Sequence, residues 1–116
     1  MSAIPSDQVM AIMRLKQWAF DRTQLRHGRT AKLEFSGWKE RRQREADSRQ
    51  VRVMDFERAL SYLDPMHQQV LLLTYRDGIR YRQAANMLGI SERLIYYILP
   101  AARRRLADTL DRLDLL

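Results

Sequence analysis

The 116-residue sequence contains no cysteine, which excludes disulfides, thiolate metal sites and thiol nucleophiles. It has two histidines, His27 and His67, with no third ligand at suitable spacing, so no metal site is expected and both read as helix-end or surface residues. Four glycines and three prolines are too few for loop-rich architecture or a Gly-rich phosphate loop. No paired His–Glu metal signature and no nucleophile elbow is present, so neither catalysis nor a cofactor is expected. No run approaches the ~20 apolar residues that a membrane span needs. The opening "MSAIPSDQVMAIMRLK" lacks the basic flank, apolar stretch and small-residue cleavage site of a secretory leader. Together these absences point to a cytoplasmic protein without a membrane partner.

What the sequence has in excess is positive charge. Lys and Arg number 21 against 14 Asp and Glu, a formal net charge of +7, and such an imbalance favours a polyanionic partner, nucleic acid above all. A chain of this length holds one compact domain with room for an attached arm, since single domains usually run ~100–200 residues.

Hydrophobic periodicity predicts helices. Ser6 or Asp7 can cap a first amphipathic helix with Val9, Ile12, Met13, Trp18, Ala19 and Phe20 on its apolar side and Gly28 as its stop. Those apolar residues either close the core over later helices or form a seam with a second copy of the chain, and "LDRLDLL" at residues 110–116 is another candidate homodimer seam. Met10, Met13 and Met54 read as core filling. Ala31, Leu33 and Phe35 alternate with polar residues, which suggests a short extended piece. From Trp38 to Arg52 arginines alternate with Glu40, Glu45 and Asp47, a solvated helix in preference to a mobile linker.

From residue 55 onward the punctuation is clearer. Asp55 can cap a helix carrying Phe56, Ala59, Leu60 and Leu63; Asp64 and Pro65 then start another with Val70, Leu71, Leu73 and Thr74, which Gly78 ends. A short helix over "YRQAANML" closes at Gly89, and Ser91 caps the last. Short helix, glycine turn and Ser-capped helix form the helix-turn-helix pattern, with Ala84 and Ala85 small enough for close crossing and Leu88 and Ile95 filling the angle. Pro100 is expected to end or kink the recognition helix at Leu99, leaving a separate C-terminal helix with Leu106, Leu110 and Leu113 on one side. Of the adjacent tyrosines, Tyr97 is expected half-buried and Tyr96 exposed. The fold class that follows is all-α: a helical bundle containing a helix-turn-helix, with an N-terminal amphipathic helix. Residues 1–54 form a helical arm on or beside the core, and residues 55–116 the helix-turn-helix domain.

The run "ALSYLDPMHQQVLLLTYRDGIRYRQAANMLGISERLIYYILPAARRRL" resembles region 4 of the sigma-70 family of bacterial transcription initiation factors. The resemblance rests on Leu63 and Pro65, Val70 to Tyr75, Gly78, Ala84–Ala85, Leu88–Gly89, Ser91, Ile95, Leu99 and Ala102 to Leu106, within residues 55–108. Nothing in residues 1–54 resembles the family's promoter-melting region, so a complete initiation factor is not implied. What the resemblance implies is a small regulator, specific for double-stranded DNA, whose helix from Ser91 lies in the major groove. Carried over by position, Glu92, Arg93, Tyr96 and Tyr97 become base readers, and Arg80, Arg82, Arg103, Arg104 and Arg105 phosphate contacts. Region 4 domains also grip the β flap of RNA polymerase, which implies an alternative: a polymerase-binding adaptor, such as a sigma-like accessory factor or a phage-type antiterminator. A third reading, nonspecific nucleic-acid binding, follows if segment 38–52 makes the main contact.

Overall fold

The computed structural model describes residues 3–26 and 36–116, with side chains over 3–25 and 40–116. All regular structure among them is helical: α1 (Ser6–Arg26), α2 (Ser36–Ser61), α3 (Pro65–Leu71, running on into a wider π turn at Leu72–Arg76), α4 (Tyr81–Leu88) and α5 (Glu92–Arg112). The expected cap at Gly28, His27 and the extended piece at Ala31–Phe35 lie outside the described residues. No helix among the described residues is long and apolar enough to cross a membrane.

Local chemistry sets most boundaries. Asp64 accepts a hydrogen bond from the Met66 N–H at 2.9 Å while Pro65 opens α3, where its missing donor costs nothing. The Asp77 N–H reaches back five residues to the Leu72 carbonyl, and Gly78, at φ +64°, lets the Ile79 N–H close the end on Leu73. At the start of α1 it is the Pro5 carbonyl that accepts from Val9; Asp7, one of the expected caps, uses its carboxylate on the neighbouring Gln8 N–H.

α5 is the axis of the core. Its Ile95, Leu99, Ala102, Leu106, Ala107 and Leu110 are buried, and around them close Val70, Leu71 and Leu73 of the α3 segment, Ala84 and Ala85 of α4, Phe56, Ala59 and Leu60 of α2, and Ala11, Leu15 and Trp18 of α1. These residues make one continuous cluster, so α1 supplies part of the core.

Three expectations need correction here. α5 runs unbroken through Pro100; the buried positions before and after the proline share one face, and breaking the helix would misalign Ala102, Leu106 and Leu110. Burial of a leucine is worth ~1.5–3 kcal/mol, so this face outweighs the ~3 kcal/mol that an internal proline costs. Asp55 lies within α2 and does not start a helix, because no Gly or Pro interrupts residues 38–62 and Val53 and Phe56 on that stretch pack into the core. The inward face of α1 is Ala11, Leu15, Trp18 and Asp21, whereas Val9, Met10, Met13 and Phe20 are exposed, as is Met54 on α2. Apolar residues lie nearly all round α1, so periodicity alone does not choose a face. In the terminal "LDRLDLL", Leu110 is buried and Leu113, Leu115 and Leu116 are partly buried against the core of the same chain.

α1 and α2 are clasped by a feature that sequence reading missed. Asp21 is buried, and both its oxygens accept hydrogen bonds from Arg52 at 3.0 Å; Gln17 donates at 3.1 Å, and Arg49 lies 3.6 Å away. Alongside, Trp18 stacks on Phe56 with ring centroids 5.5 Å apart.

Candidate nucleic-acid interface

The α4–α5 unit is built as a rigid corner. Gly89 ends α4 in the left-handed region at φ +68°, a conformation that costs a side-chain-bearing residue ~1–2 kcal/mol. The Ile90 N–H then closes on the Ala85 carbonyl at 3.0 Å, and after a turn of Gly89, Ile90 and Ser91 the Ser91 hydroxyl accepts from the Leu94 N–H at 3.1 Å. Ala84, Ala85 and Ile95 fill the crossing with almost no exposed surface, and half-buried Leu88 packs beside them. The start of α5 is therefore fixed relative to α4 by backbone, cap and core at once.

Since successive helical residues turn by about 100°, the face of α5 opposite Ile95, Leu99, Ala102 and Leu106 is Arg93, Tyr97, Pro100 and Arg104. All four are exposed. Two guanidinium groups thus bracket a phenol ring and a pyrrolidine ring along one line. Residues 80–105 contain six arginines and one glutamate, a local net charge of +5 within a chain of +7.

The remaining expected site residues divide. Arg80, extended and exposed, leads into α4 without capping it through its side chain. Arg82 is among the most exposed side chains, 3.9 Å from a half-buried Glu92, so the pair ties α4 loosely to the first turn of α5. Ser91 spends its hydroxyl on the cap. Arg103 turns inward, donating to the Tyr75 hydroxyl at 3.1 Å and to Gln8 at 3.5 Å. It braces α1, the end of the α3 segment and α5, which sets it apart from the outer face. Arg104 and Arg105 are both exposed but 100° apart, and Arg105 borders a cleft with Tyr62, Leu63, Thr109 and Arg112.

The tyrosines reverse the expected order of burial. Tyr97 is 65% exposed and Tyr96 57%, because position 97 points directly away from the core while Tyr96 leans across to α4. There it meets the Tyr81 ring edge-on, with centroids 5.0 Å apart. Tyr81 is half-buried; its burial, with the nearby Tyr75 and Tyr96 phenols, pushes its own phenol above the ordinary value of 10 despite the pull of Arg103. Sequence reading gave no site role to Tyr81, Tyr75 or Gln8, because their roles depend on which helices meet. Spacing within α5 does place Pro100 on the stripe of Arg93 and Tyr97, a signal that the proline's helix-breaking reputation obscured.

No family model, curated protein or solved structure matches this chain.

Proposed function

We propose that this protein is a sequence-specific, duplex-DNA-binding transcription regulator that lays the first turns of α5 in the major groove. The observation that carries this reading is the exposed stripe Arg93–Tyr97–Pro100–Arg104 on a helix whose other side is locked in the core. A recognition helix contacts base edges near its N-terminus, where Arg93 sits; Arg104, three turns further along, is placed for phosphate. Arg80 and Arg82 extend the positive surface onto α4. The resemblance of residues 55–108 to sigma region 4 agrees with this use, and the protein then acts without catalysis.

A second reading is favoured by one specific observation: Met87, Leu94 and Tyr97 leave large apolar surfaces in water, which suits docking on a protein such as RNA polymerase.

Titration of labelled duplexes at several salt concentrations separates the roles. Arg93→Ala is expected to cost ~1–3 kcal/mol and to relax preference at one base pair. Arg104→Ala is expected to weaken all duplexes alike and to lower the salt slope by ~1. Equal, sequence-independent losses from both variants would contradict this placement of α5.

A further inference from the structure

We infer that α5 reads a strand composed of guanine and thymine, with Tyr97 as the thymine-reading residue through contact with the 5-methyl group. This rests on the DNA-binding reading above and adds to it the chemistry of the site that would be bound.

The reason lies in what the outer face of α5 can and cannot offer. Arg93 and Arg104 are donors only, Pro100 has no N–H and presents apolar ring atoms, and Tyr97 presents an apolar ring with one hydroxyl. The only carboxylate in this first part of the helix belongs to Glu92, which is half-buried to one side and faces Arg82 at 3.9 Å. The central stripe thus has no strong acceptor with which to read the amino groups of adenine or cytosine. It matches edges that present acceptors or methyl groups. In the major groove guanine shows two acceptors, N7 and O6, and thymine shows the O4 acceptor beside its methyl group.

Arg93 has the fork geometry for guanine. One helical turn on, Tyr97 can lay its ring on a thymine methyl while its hydroxyl donates to O4. Tyr96 is less suited, since its ring is already engaged edge-on by Tyr81 at 5.0 Å, whereas Tyr97 projects furthest from the core with 65% of its surface in water. Most of that residue's surface is uncovered in the isolated chain, and contact with a methyl group would remove apolar surface of both partners from water.

The test replaces thymine by deoxyuridine, which deletes only the methyl group, position by position in the duplex that the unaltered protein selects. One or two positions are expected to lose about four-fold in affinity, the equivalent of one buried methyl group. Tyr97→Ala should bind the thymine duplex more weakly than the unaltered protein binds the deoxyuridine one, because it loses the contact to O4 as well as the methyl contact, and should no longer distinguish the two. Tyr97→Phe should keep the discrimination. If the protein selects a defined sequence yet tolerates deoxyuridine throughout it, the thymine reading is overturned and sequence-specific binding stands. If deoxyuridine weakens binding equally for the protein and for Tyr97→Ala, the methyl is sensed elsewhere and Tyr97 is not its reader. If no sequence is selected at all, both this inference and the DNA-binding proposal fall.

Discussion

Replacing Pro100 by alanine is expected to stabilise the protein by about 2 kcal/mol. Proline in a helix interior is ~3 kcal/mol less favourable than alanine, because the Tyr96 carbonyl loses its N–H partner and the ring crowds the preceding turn. Part of that gain is returned, since alanine gives the unfolded chain more freedom, a term of up to ~1 kcal/mol. Position 100 is exposed, so the exchange disturbs no packing. For a domain of this size the melting temperature should rise by roughly 8 °C, with added helicity by circular dichroism. An unchanged melting temperature would mean that α5 is broken near Leu99 in solution, and with it would go the continuous outer face on which the proposed DNA contact depends.

The opposite sign is expected at the α1–α2 clasp, where Arg52→Ala should destabilise by about 2–3 kcal/mol. Removing one partner of a buried ion pair typically costs ~3–5 kcal/mol; the lower figure applies because Arg49 and Gln17 remain and Arg52 is itself half in water. Replacing both Asp21 and Arg52 by leucine should recover most of the loss, since no charge is then left buried. Acid titration gives an independent check. Burial favours the neutral acid of Asp21, but hydrogen bonds from Arg52 and Gln17 and the charges of Arg52 and Arg49 outweigh it, holding the carboxyl below its ordinary value near 3.8. A carboxylate whose folded pKa is depressed contributes stability in full above its unfolded pKa, and that contribution is lost as pH falls through the folded value. Thermal melts should therefore show the unaltered protein losing stability below about pH 4 more steeply than Asp21→Asn. Parallel profiles, or a neutral Arg52→Ala, would show that the clasp contributes nothing.

These two sites also mark the limits of what the sequence discloses. Features set by a few neighbouring residues were legible: Asp64–Pro65 starts α3, Gly78 and Gly89 take positive φ, Ser91 caps α5, and Ala84, Ala85 and Ile95 fill the helix crossing. The caps and turns each obey a backbone rule that operates within about one turn, and the crossing joins two helices separated only by the turn Gly89–Ser91. Features decided by distant parts of the chain were misread. Pro100 obeys a local rule that a long buried face overrides. Asp21 resembles any acidic residue on a helix until Arg52, far along the chain, folds onto it. The face of α1 is chosen by what α2 and α5 offer, and Val9, Met13 and Phe20 consequently point outward. At the candidate interface, the expected break at Leu99 and the expected inward turn of Tyr97 kept Arg93, Tyr97 and Arg104 from being joined on one face, and nothing local showed that Arg103 is drawn inward by Tyr75 and Gln8. Nor did anything local show that Tyr81 holds Tyr96 to one side and leaves Tyr97 outermost.

Selection of the purified protein against a random duplex DNA library at physiological salt, followed by sequencing of the retained pool, is the most direct measurement. A defined motif containing guanine and thymine on one strand is expected, and a palindromic arrangement would add that two copies bind together. Retention without any motif, or no retention at all, would contradict sequence-specific reading by α5 and turn the search to RNA polymerase as the partner that would cover Leu94 and Tyr97.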